Sequence, residues 1–144
     1  MAIKRYTKDS KDVLILRACA PDMTSRDGFK YPRRGPVSDV SGQFVRNTSC
    51  GNGLHGWLWG RGARDVIPHY ARPVGKWLVL RVERNTVCGL GGKVKFPRGS
   101  VVFCGTKREA GAYIRARRPL EHDFNVYGHI DRGMEISPSG GDKF

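Results

Sequence analysis

The sequence predicts an α+β fold: a single compact domain, mostly antiparallel sheet, with one or two helices and long Gly/Pro-rich loops. Three observations carry this. A length of 144 residues fits one hydrophobic core. Short apolar runs bounded by turn residues recur where helices would need greater length. One late segment joins a capping box to helical spacing. Hydrophobic residues are 39% and charged residues 27%, so the chain has enough apolar material to fold.

Residues 12–19 (DVLILRAC) form an apolar run too short for a typical helix and read as a buried strand. Residues 20–36 contain Gly28, Gly35 and three prolines and read as a long loop or a ribbon. Residues 76–83 (KWLVLRVE) are the clearest strand, with the β-favouring Trp77, Val79 and Val82 between charged ends. Residues 93–96 and 100–104 flank Pro97-Arg98-Gly99, which reads as a hairpin turn. A helix is predicted over 107–118, because Thr106 and Glu109 have capping-box spacing and Ala110, Tyr113, Ile114 and Arg117 recur on one face. A second helix is placed over 62–71, where Pro68 fits only a first turn or a kink. The predicted organisation is an N-terminal arm (1–11), one α+β domain (12–136) and a tail (137–144) of flexible composition.

Charge is uneven. The 26 Lys and Arg against 13 Asp and Glu give a net +13, and the surplus is concentrated. Residues 1–60 carry 10 positive and 5 negative groups, 61–120 carry 14 and 3, and 121–144 carry 2 and 5, for net charges of +5, +11 and −3. Arginine outnumbers lysine 17 to 9, which favours phosphate or acidic-surface recognition, because a guanidinium forks onto oxyanions and stacks on planar groups. The candidate anion-binding or nucleic-acid-binding residues are Arg33, Arg34, Arg61, Arg64, Lys107, Arg108, Arg115, Arg117 and Arg118, with Trp57 and Trp59 as stacking or packing groups. On a helix Arg108 and Arg115 lie about 20° apart in azimuth, so they face the same way.

The segment 50–62 holds Gly51, Gly53 and Gly56 at dinucleotide-fingerprint spacing, but two tryptophans and further glycines follow where a helix should begin. A tight turn with buried tryptophans and closely packed backbone is the better reading. Cys50, His55, Cys88 and Cys104 are chemically able to bind zinc but lack the paired short spacings of zinc sites, so no metal and no cofactor is expected. No nucleophile elbow or Ser/His/Asp pattern supports hydrolase chemistry. The charged N-terminus lacks a secretory signal, and no apolar stretch approaches the roughly 20 residues of a membrane span, so reduced thiols and no membrane partner are expected.

The order LRACAPDMTSRDGFKYPRRG, then CGNGLHGW, then VVFCGTKREAGAYI resembles a small domain recurrent in phage and prophage genomes, marked by a GLH/GFH glycine turn. That resemblance implies a phage accessory or virion protein, located in the host cytoplasm or the virion. Joined to the basic charge, it implies a non-enzymatic binding module docking on nucleic acid, an acidic protein surface or other virion subunits. The chain is also similar, more faintly, to the ADP-ribosyltransferase-like fold. By that similarity Arg17, Ser49 and Glu135 would serve an alternative NAD-dependent transferase, with cation and hydroxyl holding the dinucleotide and the carboxylate stabilising an oxocarbenium-like transition state.

Overall fold

In the computed structural model, which describes residues 3–25, 28–39, 44, 53–61, 75–90 and 93–120, the run DVLILRAC forms β1 (Asp12–Cys19). β1 lies at the centre of a seven-stranded antiparallel sheet. A continuous apolar run suits that place, because a central strand covered on both faces has no solvent side to make polar. β4 (Lys76–Glu83) pairs with β1 along its whole length, from Asp12 opposite Glu83 to Cys19 opposite Lys76. Both strands have the predicted boundaries.

Around this pair stand β2 (Gly35–Ser38), β3 (Leu54–Leu58), β5 (Cys88–Gly89), β6 (Val94–Phe96) and β7 (Arg98–Gly105), in the order β2-β7-β4-β1-β3-β6-β5. One helix, α1 (Lys107–Arg115), completes the described elements. The α+β class and the mostly antiparallel sheet are thus as predicted, and the sheet is open. The second helix expected over 62–71 lies outside the described residues. Within the predicted loop or ribbon of residues 20–36, the described residues around Thr24 and Lys30 take the ribbon form, with Thr24 bridged to Lys30 and the Tyr31 N–H donating to the Met23 carbonyl at 2.9 Å.

The hairpin expected at Pro97-Arg98-Gly99 does not form. β6 pairs with β3 and β5, whereas β7 pairs with β4 and β2, so the two strands hold the sixth and second places in the sheet. Only Pro97 separates them. One residue spans at most about 3.6 Å, so the sheet must curl until a single stretch of chain passes from one flank to the other. Proline donates no ladder hydrogen bond, and Gly99 lets β7 lie close to β4: a Cβ there would stand 2.8 Å from a Val82 methyl and 3.0 Å from the Arg81 carbonyl oxygen. Local turn chemistry is the same for a hairpin and for this crossing; only the pairing partners differ.

The register sorts side chains between two faces, since directly opposed residues point the same way. Val13, Ile15, Arg17 and Cys19 share one face with Leu78, Leu80 and Val82; Leu14, Leu16 and Ala18 share the other with Val79 and Trp77. α1 covers the second face, where its Ile114 meets Leu16 beside Gly60. Both faces are therefore buried, and each fully covered Leu or Ile is worth about 1.5–3 kcal/mol. At the free edge, the Asp39 N–H donates to the Pro97 carbonyl at 2.8 Å. Alternation then turns the backbone groups of Pro36 and Ser38 outward. Pro36 has no N–H to offer there, which blunts the edge against strand addition.

Candidate functional site

Most of the predicted basic residues belong to α1 and its approach, and the capping box fixes where that helix starts. The Thr106 hydroxyl accepts from the Glu109 N–H at 3.1 Å, while the Glu109 carboxylate accepts from the Thr106 N–H at 2.9 Å. The helix ends at Arg115 rather than Arg118. Arg117 and Arg118 instead donate their N–H groups to the Ile114 carbonyl at 2.9 and 2.7 Å, tightening the last turn before Pro119. Thr106→Ala should lower the unfolding free energy by about 1 kcal/mol. The Thr106 N–H holds the Glu109 carboxyl below its ordinary pKa, so its contribution is present above the unfolded value and lost as pH falls through the folded one. In urea unfolding Glu109→Ala should accordingly cost stability at neutral pH and almost none in acid.

The far end of α1 is where cations collect. Arg5 donates to the carbonyls of Arg115 (3.1 Å) and Arg118 (2.7 Å). Arg117 donates to the Tyr113 carbonyl at 3.0 Å and lies 3.5 Å over the Tyr113 ring, and Arg118 donates to the Trp59 carbonyl at 3.4 Å. The Arg5 and Arg117 guanidiniums thus sit at the negative end of the helix dipole and satisfy carbonyls of its last turn. Lys107 lies 5.4 Å over the Trp77 ring. Among the predicted anion contacts on α1 and just after it, Lys107, Arg117 and Arg118 thus have structural duties; Arg108 and Arg115 are exposed at the surface.

The other predicted residues are scattered. Arg33 and Arg34 are exposed ahead of β2, where Arg33 reaches the Cys104 sulfur on β7 at 4.0 Å. Arg61 closes the turn after β3, its N–H donating to the Leu58 carbonyl at 3.0 Å. Arg64 lies outside the described residues. Trp57 and Trp59 are each 3% exposed. Trp57 stacks on Trp77 at 5.8 Å and Trp59 meets Tyr6 edge-on at 5.5 Å, so both are packing groups and neither presents a ring face to a base.

Arg17 of the alternative reading is half-buried, donates to the His55 carbonyl at 3.2 Å and lies 5.1 Å over the Tyr31 ring. Ser49 and Glu135 lie outside the described residues. Burial pushes the Cys19 thiol up to about 11, against the opposing pull of Arg17. Of the four zinc candidates, Cys50 lies outside the described residues. His55 and Cys88 flank Lys95 across β3, β6 and β5, so a lysine stands between the two ligands. Cys104 sits opposite Leu78 on β4, and no metal-ligand cluster occurs among the described residues.

Two features escaped sequence reasoning. Lys95 is fully buried on β6, with its ammonium 5.8 Å over the Phe44 ring. In VKF a lysine between two apolar residues signals an outward position, and only the covering of both strand faces overrides that. An open groove of about 900 Å³ runs beside β2, lined in part by Phe29, Tyr31, Pro32, Pro36 and Gly99. Its lining comes from four separate segments, which no local pattern links.

Comparison with known proteins overturns the functional expectations. The chain matches no family model and no solved structure. It is 35% identical over 111 residues to an ice nucleation protein of Xanthomonas campestris pv. translucens, covering 75% of this chain and 7% of that protein. It is 36% identical over 107 residues to one from Pseudomonas syringae (73% of this chain, 9% of that protein) and 33% identical over 108 residues to InaU of Pantoea ananas (74% and 10%). The chain therefore spans a tenth or less of the length of these relatives. They are bacterial proteins named for ice nucleation, so the resemblance to a phage domain and the virion or host-cytoplasm location are corrected. So are docking on nucleic acid, an acidic protein surface or virion subunits, and the ADP-ribosyltransferase alternative. The exclusion of a membrane partner is withdrawn with them, since it was drawn from a short chain whose relatives are far longer. What this chain resembles is one small segment of bacterial ice nucleation proteins.

Proposed function

We propose that this chain is an accessory module of a bacterial ice-nucleating system: a rigid globular unit that works beside the ice-ordering surface and does not itself order ice. The observation that carries the reading is the similarity itself, 33–36% identity over about three quarters of this chain but a tenth or less of each relative. The surface chemistry supports the second half. Ordering water into a lattice calls for a flat, regular, weakly charged array, because each ion aligns its own hydration shell. Here both faces of the central strands are buried, and the exposed positions of α1 include Arg108 and Arg115. Two glycine-dependent strand approaches and a curled sheet suit a unit that holds its shape.

Droplet-freezing measurements test this directly. Droplets containing the purified chain should freeze over the same temperature range as buffer, at every concentration that keeps it folded and soluble. Freezing at distinctly warmer temperatures, abolished when the chain is unfolded, would overturn the reading.

A further inference from the structure

The groove beside β2, about 900 Å³ in volume, falls in the size range of sites for drug-sized molecules. Its walls are set before anything binds. On one side the Ser25 N–H donates to the Phe29 carbonyl at 2.8 Å and the Tyr31 N–H to the Met23 carbonyl at 2.9 Å, so the ribbon holds Phe29 and Tyr31 edge to face, with ring centroids 5.0 Å apart. The Arg17 guanidinium, 5.1 Å over the Tyr31 ring, fixes that ring further. On the other side Val37 of β2 lies opposite Gly99 of β7, and a glycine brings no side chain to fill the space beside Val37. Pro32 and Pro36 add rigid apolar rings to the lining. A wall already ordered loses little freedom when a ligand meets it.

The polar groups of the groove select its occupant. Two exposed cations border it from different segments, Lys30 on the ribbon and Arg98 at the start of β7, against one half-buried carboxylate, Glu83. Arg33 and Arg34, exposed just beyond Pro32, add to the positive potential. A ligand with a negative group is therefore favoured over a neutral or cationic one. A peptide strand is poorly served, because it needs donors and acceptors in alternation, and of the two outward residues of β2 only Ser38 has an N–H. A compact apolar body bearing one acid group uses both walls and requires no backbone ladder.

We propose that this groove is a binding site for small amphiphilic carboxylates, with an aromatic or aliphatic body against Phe29, Tyr31, Pro32 and Pro36 and the carboxylate at Lys30 and Arg98. The site is independent of any role in ice nucleation. Burial of the apolar body supplies most of the attraction. The cations supply selectivity, and because both are exposed each should change the affinity by only about two- to fivefold.

Amide NMR of the full chain, titrated with naphthoate, tests the proposal. Saturable shifts should concentrate at Phe29, Lys30, Tyr31, Val37, Ser38 and Gly99, with the amides of α1 unmoved. Lys30→Gln and Arg98→Gln should each weaken binding by about two- to fivefold, and Lys4→Gln, at an exposed cation of the N-terminal arm, should leave it unchanged. Naphthylmethanol, the neutral counterpart, should bind more weakly than the acid. No saturable shift up to the solubility limit, shifts spread over the whole surface, equal affinity for acid and alcohol, or unchanged affinity in either groove variant would each overturn it. So would tighter binding of a blocked acidic peptide, or movement of the same amides with protein concentration alone, which would give the groove to a second copy of this chain.

Discussion

Replacing Gly56 by alanine should destabilise the fold more than any other single-methyl addition in the sheet. A Cβ at this position would stand 2.4 Å from an Ile15 methyl and 2.5 Å from the Leu16 carbonyl oxygen. Neither neighbour can yield cheaply. Leu16 is backbone in the central strand, paired on both sides, and Ile15 is fully buried among core residues. β3 would have to move away from β1, loosening the Ile15–Leu58 and Leu16–Trp57 pairs, or Ile15 would have to leave its rotamer. Overpacking of this kind costs roughly 1–3 kcal/mol and occasionally more; with a carbonyl oxygen in the way the upper part of that range is expected. Chemical denaturation of Gly56→Ala should show a lower midpoint with unchanged slope. A midpoint equal to that of the wild type would mean that β1 and β3 are not held this close.

Trp57→Ala should cost about 3–5 kcal/mol, the range for emptying the site of a buried large aromatic. The ring is 3% exposed and stacked on Trp77 with an interplanar angle of 19°, and Trp77 is in turn capped by the Lys107 ammonium. Removing Trp57 therefore leaves a cavity and takes away one face of a three-member stack. Trp57→Phe should recover more than half of the loss, because most of the apolar area returns. The same denaturation assay checks both variants. A loss below 1 kcal/mol for Trp57→Ala would show an indole that is outside the core.

These two sites also show how far the sequence could be read. DVLILRAC and KWLVLRVE announced themselves because a strand covered on both faces must be apolar throughout, and Thr106 with Glu109 fixed the start of α1 because a capping box is local chemistry. The glycine-rich stretch, read as a tight turn with buried tryptophans, has the buried tryptophans and the close packing, at Gly56, but its Leu54–Leu58 part is the strand β3 and not a turn. What was not legible depends on partners distant in sequence. Pro97-Arg98-Gly99 looks like a hairpin until the flanking strands are seen to pair elsewhere. Arg118 looked like an anion ligand because nothing local reveals that the Trp59 carbonyl already receives it, whereas the partner of Arg117, the Tyr113 carbonyl, lies only one helical turn back. The burial of Lys95 likewise depends on what covers both faces of β6, which no local pattern shows. Net charge proved a weak guide to the partner, since a guanidinium that caps a helix and one that awaits a ligand contribute equally to the count.

The most direct measurement of the proposed role is a segment exchange. Replacing the matching segment of the Pseudomonas syringae ice nucleation protein by the corresponding residues of this chain, and recording droplet-freezing spectra of cells that produce equal amounts of either protein, asks whether the two folds are interchangeable. The proposal predicts spectra that coincide for parent and exchange, with a Gly56→Ala version of the exchange shifted to colder freezing. An exchange that is fully produced but freezes no warmer than cells lacking the protein would contradict it.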